Sequence, residues 1–84
     1  MKKKRKHKLT LDRPATYQIK VAGRLDDTWP DWAGEMTAAV ESDNDGLPVT
    51  ILTGALDQAA LLGLLRRLYS LGLPLISVTW EDER

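Results

Sequence analysis

Cysteine is absent from the sequence. That excludes a disulfide framework and any thiolate metal site, and it fits a reducing compartment. Phenylalanine is absent too, so three Trp and two Tyr are the only aromatic residues. The single histidine, His7, lies among lysines. No His-based triad or His-ligated metal centre can therefore be assembled in the rest of the chain. No apolar run approaches the ~20 residues needed to span a bilayer. No apolar stretch follows the basic start, which argues against a secretory signal. These absences predict a cytoplasmic protein with no cofactor and no resident metal.

Charge is present but segregated. The formal net charge is zero, yet Lys2, Lys3, Lys4, Arg5, Lys6 and Lys8 supply six of the twelve basic residues. From Leu9 onward six basic residues face twelve acidic ones, a net −6. Residues 1–14 have no hydrophobic period, and like charges repel. We expect them to form a disordered basic tail, followed by a single domain over residues 15–84. Such a chain buries roughly 60–65% of its unfolded surface, so its core is thin.

Hydrophobic alternation places the strands. Tyr17, Ile19, Val21 and Leu25 point one way in TYQIKVAGRLD, residues 16–26, as in a half-buried strand. Gly23 interrupts that row, at a bulge or where a side chain lies across the backbone. Pro30 fits the first turn of a short helix. Trp29 and Trp32, three apart, would share one side of it. Residues 36–43 alternate again, with Met36, Ala38 and Val40 on one face. DNDG supplies a hairpin turn. LPVTILTG, residues 47–54, is a third strand, with Pro48 at its start or at a sheet edge. LISVTW, residues 75–80, is the last.

DQAALLGLLRRLYSLGLP, residues 57–74, carries a whole helix with both ends. Asp57 is a good N-cap. Leu56 and Leu61 are placed for a hydrophobic staple. Gly72 and Pro74 supply the stop. The order β-β-β-α-β predicts a small two-layer α+β domain. It has a mixed sheet of about four strands, one long helix on one face and a short helical turn at Trp29–Trp32. A crossover links the third strand to a parallel fourth. On the uncovered face we place Gln18, Lys20, Arg24, Thr37, Glu41 and Thr50, with Ala22, Ala39 and Leu52 as a modest patch.

The helix has more apolar surface than one sheet needs. Its leucines and Tyr69 span about 180°, where an arc of roughly 100° or a little more suffices. Leu62 and Tyr69 form one flank, Leu64 and Leu71 the other. Either the sheet curls to cover them, or they form a surface for self-association or a protein partner.

The remaining chemical signals are weak. Trp29 and Trp32 stand among Asp26, Asp27, Asp31 and Glu35, an arrangement able to hold a cationic or planar ligand. The same rings equally serve to close the small core. ESDNDG matches early positions of a calcium loop, but its twelfth position is Leu52 rather than Glu. Gln58 either steadies the loop before the helix or offers an amide to a ligand. The six tail charges suit phosphates without sequence preference, and equally suit a solubilising end.

YQIKVAGRLDDTWPDWAGEM, followed by LTGALDQAALLGLLRRLYSLGLPLISV, resembles a group of small uncharacterised bacterial proteins. The shared pattern is Tyr-x-Ile-x-Val-x-Gly, Trp-x-x-Trp, Asp-Gln-Ala-Ala-Leu and Leu-Gly-Leu. It covers residues 16–80, with Tyr17, Trp29, Trp32, Gly54, Asp57, Gln58 and Gly72 in place. The basic tail departs from it. The resemblance implies the fold and a bacterial cytosol, and implies no chemistry.

The sequence thus predicts a non-enzymatic protein-interaction module, as a homodimer or with another protein, acting through Leu62, Tyr69, Trp29 and Trp32. The alternatives are a small-molecule binder or enzyme built on the Trp29–Trp32 loop and the helix start, and tail-driven nucleic-acid association.

Overall fold

The computed structural model describes residues 9–81. Its elements run β1 (Ala15–Ala22), α1 (Trp29–Ala33), β2 (Thr37–Ser42), β3 (Pro48–Leu56), α2 (Gln58–Ser70) and β4 (Leu75–Glu81). They form a two-layer α+β domain with α2 against one face of a four-stranded sheet. Buried Leu61, Leu64 and Leu68 of α2 join Tyr17, Ile19, Val21 and Leu52 of the sheet in one core.

The strand order is β2-β3-β1-β4, and every neighbouring pair is antiparallel. This corrects the expected mixed sheet. The β3-α2-β4 crossover does join strands of one direction, since both run antiparallel to β1. But β1 inserts between them and takes the hydrogen bonds of both. Its row of Tyr17, Ile19 and Val21 is the most completely buried of any strand. That row gains most from the centre of the sheet, where neighbours cover both sides.

The face assignment of β3 is also corrected. Ile19 pairs with Leu52 and Val21 with Thr50, which turns Leu52 (0% exposed) and Thr50 (1%) into the core. Val49 and Ile51 take the uncovered face instead. Both rows of β3 are apolar enough to be buried, so register with β1 decides between them. Thr50 is tolerated inside because its Oγ1 donates to the Gly23 carbonyl at 2.7 Å, which removes the desolvation cost of the hydroxyl.

Local chemistry fixes the ends of α2. Asp57 Oδ1 accepts from the Ala60 backbone N–H at 2.8 Å, satisfying one orphan donor of the first turn. At the other end Gly72 adopts φ +80°. Its N–H donates to the Tyr69 carbonyl and that of Leu73 to the Leu68 carbonyl, the paired bonds of a Schellman stop. Leu73 then folds back so closely on Gly23 that a Cβ there would meet its Cδ2. In the β2–β3 turn, Asp43 Oδ1 accepts from the N–H groups of Asp45 and Leu47. Leading into β1, the Leu11 carbonyl accepts from the Gln58 N–H at 3.1 Å. Among the described residues no helix is long and apolar enough to cross a membrane.

Candidate functional site

The segment from Leu25 to Met36 crosses the helix side of the sheet and packs along one flank of α2. It opens with Asp26, whose carboxylate accepts from Thr28 Oγ1 at 2.6 Å and from the Thr28 N–H at 3.0 Å. Those two bonds, the side-chain one foremost, hold the Asp26 pKa below the ordinary carboxylate value. Pro30 sets the first turn of α1, a five-residue helix. Trp29 and Trp32 are half-buried and pack against the core, and Ala33 beside them is buried. Met36, just past α1, sits over Gly54 of β3 so closely that no Cβ would fit there. That contact places α1 on the β2 side of the domain.

A groove of about 410 Å³ opens between α1 and α2, lined by Trp32, Ala33, Gly34, Leu56, Ala60, Gly63, Leu64 and Arg67. Its volume falls in the range of small-ligand pockets. The Arg67 guanidinium lies 5.4 Å from the centroid of the Trp32 ring. The chain's own cation therefore occupies the ring face that a cationic ligand would need. The Trp32 indole N–H is buried and meets no acceptor among the described residues. Among them, no three carboxylate or imidazole groups are placed to hold a metal ion. Gln58 is committed internally, its Nε2 donating to the Tyr17 hydroxyl at 2.7 Å.

The opposite flank of α2 carries the exposed apolar residues. At 100° per residue, Leu62 and Tyr69 lie together, away from Ala60, Gly63, Leu64 and Arg67. Leu62 is 58% exposed and Tyr69 is 85%. Because α1 packs on the β2 side and the groove takes the other flank of α2, this flank faces toward the β4 edge. Leu75, Ile76 and Val78 are all more than one-third exposed. Leu65 and Trp80, half-buried at the margin, join this surface to the core.

The four residues assigned to interaction from sequence are thus divided. Leu62 and Tyr69 share the flank away from the groove, while Trp32 lines the groove and Trp29 packs against the core. Of the second helix flank, Leu64 is buried and Leu71 exposed. Sequence reasoning missed Leu75, Ile76, Val78 and Arg67. LISVTW does carry a signal, an uncharged strand of large residues, but without strand order nothing marks it as an edge. Lys2, Lys3, Lys4, Arg5, Lys6 and Lys8, the candidate nucleic-acid contacts, lie outside the described residues.

Fold and surface together define a small two-layer α+β domain with an open sheet and an apolar side. The chain belongs to the family described as Domain of unknown function (DUF8691), whose model matches residues 16–79, from the start of β1 into β4. No curated protein and no solved structure matches it.

Proposed function

We propose that the protein is a non-enzymatic protein-interaction module whose docking surface is the Leu62–Tyr69 flank of α2 together with β4. The supporting observation is the exposure of Tyr69, 85% of a large aromatic side chain, on the same helix face as exposed Leu62, with Leu75, Ile76 and Val78 of the edge strand exposed as well. A small monomer rarely leaves adjacent large apolar side chains in water without a partner for them. A cytoplasmic setting in a bacterium belongs to the same proposal. The test compares the full chain with a Leu62→Glu/Tyr69→Glu variant as bait in host lysate. Loss of a specific retained protein with unchanged circular dichroism supports the surface. Equal retention by both baits refutes it.

The groove between α1 and α2 supports a second assignment, a small-molecule site, on the strength of its volume and its Trp32 wall. Arg67 would then present the only cation of its lining, favouring a planar anionic ligand. A shift in Trp fluorescence with anionic aromatic metabolites, absent in Arg67→Ala, would favour it. No shift across such a series counts against it.

A further inference from the structure

We infer that the partner of this surface is a second copy of the chain, joined edge to edge through β4 about a two-fold axis at Val78. The inference rests on the docking surface proposed above and commits its occupant.

The hydrogen-bond pattern selects Val78. The Ala22 N–H points toward β4, donating to the Pro74 carbonyl, while the next N–H, that of Gly23, points toward β3 and the Pro48 carbonyl. Backbone groups alternate in direction along a strand, so Lys20 and Gln18 also face β4. They pair with Ser77 and Thr79, whose own groups face back. Val78 lies between those two and directs its N–H and C=O to the outer edge. The register shift between Lys20 and Val21 leaves Ile76 as an extra residue, so the regular part of the edge begins at Ser77. Two antiparallel copies centred on Val78 would exchange both of its backbone bonds, with Ser77 of each opposite Thr79 of the other.

Three features favour a second copy. An antiparallel strand edge is self-complementary under two-fold symmetry, each residue meeting its own mate. Leu75–Trp80 contains no charged residue and no proline, the usual devices that keep edges apart. Seven of the twelve acidic residues lie at 26–35 and 41–45, away from β4, and Glu81 at the end of β4 would stand opposite Leu75 of the mate, so no like charges face each other across the pairing. Lastly, Leu62, Tyr69, Leu75, Ile76 and Val78 together present on the order of 600 Å², approaching the ~800 Å² each partner gives to a standard interface.

The test uses the full chain, which has no native cysteine. In a hydrogen-bonded antiparallel pair the Cα atoms lie ~5.5 Å apart, within disulfide reach. Under mild oxidation Val78→Cys should form a disulfide-linked dimer at least tenfold faster than Val40→Cys on the β2 edge. No cross-link at 78, or equal rates at both positions, overturns the pairing. Val78→Pro removes the outward N–H and none of the N–H bonds to β1, so in sedimentation it should weaken the dimer at least tenfold with circular dichroism preserved. An undiminished dimer overturns the pairing, and if that variant does not fold, the cysteine pair decides. A wild-type chain monomeric at millimolar concentration sinks self-pairing alone, provided Leu62→Glu/Tyr69→Glu still releases another protein. If no protein is released either, the docking surface falls with it.

Discussion

Gln58, in the first turn of α2, donates its side-chain amide to the buried hydroxyl of Tyr17 at 2.7 Å, across 41 residues of chain. The bond ties the helix start to the central strand and satisfies a phenol that is 4% exposed. Gln58→Leu leaves that hydroxyl without the amide that donates to it and should cost about 1–3 kcal/mol in urea unfolding. Tyr17→Phe should cost less, and the double variant should fall short of the sum by at least ~0.5 kcal/mol. Strict additivity would show that the bond contributes nothing.

Gly54 is required by Met36. The Met36 side chain and backbone occupy the space a Cβ at Gly54 would take. Gly54→Ala should therefore destabilise by about 1–3 kcal/mol through overpacking. In a Met36→Ala background the added methyl should cost less than it does alone. Denaturant midpoints of the four chains give this directly.

Leu68 and Tyr69 are adjacent in sequence and opposite in consequence. Leu68 is 2% exposed in the core, so Leu68→Ala should cost about 2–5 kcal/mol. Tyr69→Ala should stay within ~0.5 kcal/mol in the monomer, as exposed substitutions do. Its effect should appear in association instead. A large loss of monomer stability in Tyr69→Ala would mean the ring is covered by the protein itself.

Asp26 makes the loop before α1 sensitive to acid. Hydrogen bonds from Thr28 lower its folded pKa, so the contribution is complete above the unfolded value. It is lost as pH falls through the folded pKa. Thr28→Ala removes the larger cause. In a carboxyl-detected NMR titration the Asp26 pKa should rise toward the ordinary value, and the acid loss of order near Trp29 should flatten. An unmoved titration would contradict the hydrogen-bond assignment.

Much of the fold was legible because its signals are local. The cap, the apolar stripe and the glycine-proline stop of α2 sit within eighteen consecutive residues. The alternation of β1 is equally self-contained. Gly23 signalled a close approach, and Leu73 supplies it. What failed was non-local. Both rows of β3 are apolar, so only pairing with β1 shows that Thr50 and Leu52 turn inward. The antiparallel neighbours of β1 depend on its insertion between β3 and β4, which no local pattern encodes. The candidate surface was half legible for the same reason. Helical periodicity exposes Leu62 and Tyr69, but Val78 joins them only once β4 is known to be an edge.

Photo-cross-linking from two positions separates the two candidate sites most directly. A benzophenone amino acid replaces Tyr69 in one full-length chain and Trp32 in another, and both are irradiated in the living host. Discrete protein adducts from position 69, with few or none from position 32, are the predicted result. Adducts from position 32 alone would place binding in the groove beside Arg67 and contradict the docking surface on α2 and β4.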